Sequence, residues 1–457
     1  MDIIIQKKIR GIPLGILIVS FGALFVGILS ARTAIGFLTG KETINKVKKR
    51  RKTRKVVGEN NKGGEGKRYP RTLYNLGNTC FANSVLQSLS SLNLFCEYVE
   101  NKNKELSSGS MVRIRRKQGS DEEIIWELYN VLKEIEPTEK RRGVFVPKEF
   151  LRILGGKAPW VWSREEQDAQ EFFQIITQTL EGAKIEKKQS LKQISESEKE
   201  TERRRNPFSG LAASKIACVR CGYTASLRHY SIDSISLPVP RVGSCRVEDC
   251  LKLYTGIDEL EDFRCRRCVL EATVKEKKEE AEKTSGKRKR ERLEKEIIQV
   301  EDALKNDPEK ELGTIELSGK LTGPSTRQTM IARAPKLLCL HLNRSLILNT
   351  GDVVKNPAKI VLGSKLNLSP FLTTGHLDTR PLRPISQSSP QPTMYTLTAI
   401  VSHDGSHSSG HYYAYKRVDT NSTVQWFRVA DSNLNEVSES IAIGVTNAFM
   451  LFYTKDI

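Results

Sequence analysis

Apolar residues recur at helical spacing in the first part of the globular sequence and alternate with polar ones towards its end. After the Asn- and Gly-rich stretch 74–79, Phe81, Val85, Leu86 and Leu89 share one face of a helix that would begin at Cys80. Ile124, Ile125, Leu128, Val131, Leu132 and Ile135 mark an amphipathic helix over 122–135. Ala169, Phe172, Phe173 and Ile176 mark another within 164–176. Further on the period shortens to 2. Residues 231–239 alternate and 336–342 form an apolar run, so both read as strands, as do 395–401, 411–417, 424–429 and 448–453. Helices first and sheet afterwards predict an α+β layout.

Ahead of this the pattern differs. Residues 11–31 are 21 positions without a charge. As a helix rising about 1.5 Å per residue they would span about 30 Å, the thickness of a bilayer's hydrocarbon core. A transmembrane anchor over 1–40 accounts for this run best. A cleaved secretory signal has a shorter apolar core, although Ser30 and Ala31 are small enough for a cleavage site, and a buried core helix would keep more water-facing positions. Nine of the 15 residues 41–55 are Lys or Arg, a flank that holds its side of a spanning helix in the cytosol. Residues 41–68, with four glycines between 58 and 67, read as a basic flexible linker. The folded part is then 69–457.

Charge sharpens this division. The chain has 457 residues, 38% hydrophobic and 28% charged, with a net charge of +20, of which residues 1–71 contribute +13. A basic surface concentrated outside the folded body disfavours nucleic acid as partner and favours a membrane. Two segments, about 181–206 and 270–312, are dominated by Lys, Glu and Arg. They read as surface insertions, partly disordered or solvent-exposed helix, without enough apolar seam to demand a partner.

Candidate chemistry begins with the thiols. Nine cysteines, an odd and irregular set, do not form a disulfide framework. Cys218-x-x-Cys221 and Cys265-x-x-Cys268 supply four thiolates in two close pairs, as tetrahedral structural zinc requires; a redox pair is the other reading, without the βαβ pattern it usually accompanies. Cys245 and Cys250 read as ordinary thiols, and no organic cofactor is expected. Cys80 would sit at a helix N-terminus, where unpaired N–H groups favour a thiolate, though most intracellular thiols are simply small buried hydrophobes. A nucleophilic cysteine needs a base. Gly410-His411-Tyr412 places His411 at a strand entrance, and Asp431, after the strand holding Trp426, is the candidate to orient it.

These motifs, in this order, resemble the ubiquitin-specific proteases over roughly residues 69–457. The resemblance rests on Leu76-Gly77-Asn78-Thr79-Cys80-Phe81-Ala82-Asn83-Ser84 with Leu86-Gln87, and on Gln167-Asp168-Ala169-Gln170-Glu171-Phe172. Asn206-Pro207-Phe208 with Gly210, the two cysteine pairs, Leu237-Pro238, Ala334-Pro335-Lys336-Leu337-Leu338 with Leu342 and Arg344, and Tyr395 to Tyr412 follow in family order. It implies a papain-like thumb and palm, a zinc-bearing β fingers subdomain that cradles ubiquitin, and hydrolysis of the isopeptide bond after ubiquitin's C-terminal Gly-Gly. Cys80 becomes the nucleophile and His411 its general base. Asn75 becomes an oxyanion donor, a contribution of about 2.7 to 4 kcal/mol to the barrier in such sites.

Two positions depart from the family pattern. Members usually follow the Trp-containing strand with two polar residues, the first of which orients the histidine; here these are Ala430 and Asp431. Alanine cannot bond an imidazole, so either Asp431 takes the role or Cys80 and His411 act as a dyad helped by Ser432 or water. Ser345 replaces an aromatic residue common after Arg344. Some family members are tethered to the mitochondrial outer membrane by an N-terminal helix, and this chain looks similar, with the endoplasmic reticulum the other address. The expectation is a membrane-anchored thiol deubiquitinase acting on proteins at the cytosolic face; the rival is a catalytically impaired, ubiquitin-binding membrane scaffold.

Overall fold

The structure, a computed structural model, describes residues 67–456 apart from 109–118, 164–166, 184–203, 320, 388, 390, 421 and 422. The uncharged run 11–31, its basic flank and most of 181–206 lie outside the described residues. Among the described residues no helix is long and apolar enough to cross a membrane.

The helical part comprises α1 (Cys80–Leu89), α2 (Asn93–Ser108), α3 (Asp121–Ile135), α4 (Lys148–Lys157) and α5 (Ala169–Gly182). The α3 start is fixed locally: the Ser120 hydroxyl accepts the Glu123 N–H at 3.3 Å, and three acidic residues occupy the first turn. α5 begins at Ala169 rather than near 164 because the Asp168 carboxylate caps it, accepting the Gln170 N–H at 2.6 Å.

The remainder is mostly sheet: β1 (Gly210–Cys218), β2 (Thr224–Ile232), β3 (Ile235–Pro238), β4 (Ser244–Arg246), α6 (Val247–Thr255), β5 (Ile257–Phe263), α7 (Arg266–Lys283), α8 (Lys287–Asn306), β6 (Gly323–Arg333) and β7 (Leu337–Asn343). Then come β8 (Ser345–Ile347), β9 (Val353–Lys355), β10 (Lys359–Val361), β11 (Lys365–Asn367), β12 (Met394–Gly405), β13 (Gly410–Asp419), β14 (Val424–Ala430), β15 (Asn433–Val437), α9 (Glu439–Ile443) and β16 (Ala448–Lys455). The main sheet runs β15-β14-β13-β12-β16-β7-β3, with β11 also on β12; a second runs β2-β1-β6-β5. The expected α+β order is borne out.

α1 lies between the two layers, against β12, β13 and β14 on one side and α3 and α5 on the other, and all ten of its residues are buried. Phe81 meets Phe172 edge-on with ring centroids 5.5 Å apart, and Phe173 meets Phe208 at 5.0 Å. Each such side chain removed from water is worth about 1.5–3 kcal/mol. The polar residues of α1 survive burial because each finds a partner: Ser84 and Ser88 donate back to the carbonyls of Phe81 and Ser84, and the Gln87 amide donates to the Arg71 carbonyl at 2.8 Å.

The second sheet is covered on one face by the segment 374–386, whose Ile385 packs on Ala213 and Met330. Buried Lys215 fastens it, donating to the carbonyls of Asp378, Arg380 and Arg383 at 3.1, 2.9 and 2.7 Å. The charged segment 270–312 is largely exposed helix, one of the forms expected, but it has an apolar seam that was not expected. It is a hairpin of α7 and α8 that breaks at Thr284 to Gly286 and carries small cores of its own, Leu270 with Val300 and Ala303, and Ala281 with Leu293 and Ile297. Its apolar residues are divided between two helices, so neither helix alone carries a continuous seam.

β7 contains His341, buried, with Nδ1 at 3.0 Å from the Ser236 hydroxyl; burial pushes its imidazolium pKa down to about 3. The unfolded chain therefore binds the extra proton first, and the neutral ring's contribution, complete above pH 6.5, is lost as pH falls from about 6.5 to about 3. The expected slope is at most about 1.4 kcal/mol per pH unit from this group. Urea unfolding between pH 4 and 7 checks it: His341→Gln should flatten the dependence, and an unchanged slope would contradict the assignment.

Candidate active site

The stretch before α1 is folded by its own amide. Asn75 Oδ1 accepts the N–H groups of Gly77 and Thr79 at 2.9 and 3.1 Å and faces the Thr79 hydroxyl at 3.2 Å. Gly77 and Asn78 take left-handed φ values of +103° and +56° to make the turn. Thr79, the N-cap of α1, makes no side-chain bond to the helix, because its hydroxyl accepts the Leu76 N–H instead at 3.0 Å. Cys80 is the first helical residue, 4% exposed.

Asn75 Nδ2, aimed by those contacts, donates to Asp431 Oδ2 at 2.9 Å. Asp431 Oδ1 accepts Asn83 Nδ2 at 2.8 Å, and its main-chain carbonyl accepts the Leu73 N–H at 3.3 Å. Asp431 stands in the turn after β14 with φ of +50°, a conformation that Asp tolerates better than most residues. Its Oδ2 lies 3.8 Å from His411 Nε2, within ion-pair range and beyond a direct hydrogen bond. Ala430 is buried at the end of β14. Of the two positions after the Trp426 strand it is thus Asp431 that reaches the histidine, and the carboxylate is held by amides on both oxygens.

His411 is the second residue of β13, paired in register with Asp404 of β12. A Cβ at Gly410 would run into the Asp404 carbonyl and the His403 ring, so only glycine fits before His411. His403 stacks on Tyr412 with ring centroids 4.3 Å apart; burial, and Lys355 next to it, push its pKa down to about 4. Lys355 Nζ, from β9, reaches His403 Nδ1 at 3.1 Å and donates to the carbonyls of His403 and Gly405 at 2.7 and 3.1 Å, pinning the loop that precedes His411. Asp168, at the start of α5, has its carboxyl pushed up by burial, partly offset by the backbone N–H groups of Gln170 and Glu171.

The sequence assigns no role to Asn83, Lys355 or His403, although Asn83 and His403 fall inside its motifs. For Asn83 a signal existed: an amide one helical turn after Cys80 in a helix otherwise patterned for the core.

The four sulfurs of Cys218, Cys221, Cys265 and Cys268 all lie within 4.8 Å of one another, with Cys218 3.8 Å from Cys268 and Cys221 3.6 Å from Cys265. A tetrahedral ion with metal–sulfur bonds of about 2.3 Å sets its ligands about 3.8 Å apart, so the cluster fits one. β6 lies between β1 and β5 and pairs with both, Cys218 opposite Ser325 and Phe263 opposite Gly323, which brings the two distant cysteine pairs together. Cys245 and Cys250, expected to be unremarkable, also meet, with sulfurs 3.9 Å apart.

The model of the ubiquitin carboxyl-terminal hydrolase family matches residues 71–453. The chain belongs to that family. It carries the family's cysteine-type deubiquitinase domain. Ubiquitin carboxyl-terminal hydrolase 16 of Emericella nidulans is 27% identical over 415 residues, 78% of this chain and 63% of that protein, less than two thirds of its length. Ubiquitin carboxyl-terminal hydrolase 27 of Arabidopsis thaliana is 26% identical over 84% of this chain and 85% of its own. The fold is similar to that in the structure of the SAGA Ubp8/Sgf11/Sus1/Sgf73 DUB module bound to ubiquitin aldehyde, with TM-score 0.55 and 20% identity over 85% of this chain and 70% of that one.

Elemental analysis of the purified protein should return one metal ion per chain, and a strong chelator should release it and lower the melting temperature. No metal, with all four thiols open to alkylation, would contradict the fit.

Proposed function

We propose that this domain hydrolyses the bond after the C-terminal glycine of ubiquitin, with Cys80 as nucleophile and His411 as general base. The observation that carries the reading is the Asp431 carboxylate, clamped by Asn75 and Asn83 and turned towards His411 Nε2. A carboxylate on Nε2 leaves Nδ1 to take the proton of the Cys80 thiol. The thiolate then attacks the carbonyl carbon of ubiquitin's last glycine. The oxyanion that forms meets backbone N–H groups at the uncapped start of α1 and the second proton of Asn75 Nδ2, the first being held by Asp431. His411 returns its proton to the departing amine, a thioester remains on Cys80, and water activated by the same imidazole releases free ubiquitin. Asp431 steadies the imidazolium by charge. Catalytic contacts of this kind are often long before substrate binds, which makes 3.8 Å compatible with the role.

Zinc is the metal that a four-thiolate cage prefers, and it would brace the β1–β2 and β5–α7 ends of the fingers. It has no part in the chemical steps. The 21-residue uncharged run and its basic flank support a membrane anchor with the catalytic domain in the cytosol, the mitochondrial outer membrane being the favoured address and ubiquitinated proteins at that surface the substrates.

Two experiments test these claims. With a ubiquitin C-terminal fluorogenic amide, the wild type should release the fluorophore and Cys80→Ala should not. Asp431→Asn, which leaves one acceptor for two amide donors, should lower kcat at least tenfold; Cys80-independent release would refute the nucleophile, and wild-type rates in Asp431→Asn would establish the dyad instead. For the anchor, a fluorescent fusion lacking residues 1–40 should become diffuse, and one still on mitochondria would disprove it.

A further inference from the structure

β13 carries His411 near its start and Lys416 five residues on; α1 carries Cys80 at its start and ends at Leu89, with Ser90 as its C-cap. Five residues of strand advance about 17 Å. Ten of helix advance about 15 Å. Two elements of such similar reach, packed side by side and joined at one end through Asn83, Asp431 and His411, bring a second set of residues together at the other end. There the Lys416 Nζ donates to Ser90 Oγ at 2.5 Å and to Gln87 Oε1 at 3.2 Å. The Ser90 hydroxyl passes on to the Gln87 carbonyl at 2.9 Å, and the Gln87 amide to the Arg71 carbonyl, on the segment that leads into Asn75.

Lys416 is 0% exposed, and among the described residues no carboxylate pairs with it. Burial drives its pKa down to about 7, opposed only by Cys96 on α2. The negative end of the α1 dipole offsets part of the cost. A thioether or alkyl chain of the same length would avoid that cost altogether, which makes a stabilising purpose a poor account of this lysine. What a lysine adds is direction, since its two short contacts are made only when α1 sits at one position along β13.

We infer that Lys416 is a positioning residue, a clasp that fixes the register of α1 on β13 and thereby the placement of Cys80 against His411. The inference rests on the thiol-protease reading for its effect on rate, but not for its effect on α1. A displacement of about 1 Å between reacting groups can cost about 100-fold in rate, and the far end of the helix is where sliding is resisted with most leverage.

The test compares the full chain in detergent with Lys416→Met and with Ser90→Ala, a smaller change that removes only one acceptor. Three quantities are read: melting temperature, kcat and KM on the ubiquitin fluorogenic amide, and hydrogen exchange of the backbone amides of residues 84–92. Lys416→Met should melt no lower than wild type, lose kcat at least fivefold with KM within twofold, and exchange those amides at least fivefold faster; Ser90→Ala should shift kcat and exchange in the same direction by less. Unchanged exchange would overturn the clasp, as would unchanged kcat in an active enzyme, or a fall in melting temperature that accompanies the other losses. A wild type that cleaves nothing would sink the deubiquitinase reading, and the exchange result would still decide the clasp.

Discussion

The Asp431 carboxylate joins the stretch from Asn75 to Asn83, more than 300 positions earlier in the chain, to His411 on the strand beside it. One oxygen accepts the Asn75 amide from the turn before α1, the other accepts Asn83 from within α1, and the carboxylate faces His411 at the head of β13. A carboxylate largely withdrawn from water is costly unless its lone pairs are met by donors, and here an amide meets each oxygen. The same two bonds aim the Asn75 amide and tie α1 to the sheet. The placement of His411 and of the Asn75 amide is thus a single interaction seen from two sides.

That junction works because α1 has nowhere else to go. A helix buried on every face is normally apolar throughout. This one carries Asn83, Ser84, Gln87 and Ser88, and each of these side chains donates to a specific partner: Asp431, the Phe81 and Ser84 carbonyls, and the Arg71 carbonyl. Aromatic packing of Phe81 on Phe172 supplies the adhesion, while the polar contacts define one position out of several that greasy surfaces alone would permit. The loop before His411 is treated in the same way, pinned by Lys355 through two carbonyls.

Much of this was legible in the sequence. Local periodicity placed α1, α3 and the late strands close to where they fall, and the two cysteine pairs announced their cluster, since ligand chemistry fixes spacing. Ala430 cannot bond an imidazole, which leaves Asp431 or a dyad as the readings open to the sequence. The hairpin of α7 and α8 escaped because its core is split between two helices, and the start of α5 was misjudged because Asp168 reads equally well inside a helix or as its cap. Asn83, Lys355 and Lys416 act through contacts with residues 48 to 348 positions away, and local pattern does not name the partner of a tertiary hydrogen bond.

The central claim is that Cys80 attacks ubiquitin's C-terminus with the help of an imidazole held by Asp431. It is tested most directly with ubiquitin bearing a C-terminal thiol-reactive electrophile, followed by peptide mapping of the adduct and of its rate of formation. The account predicts a single ubiquitin attached at Cys80, formed at least tenfold more slowly in Asp431→Ala. An adduct on another cysteine, or equal rates in the two proteins, would contradict it.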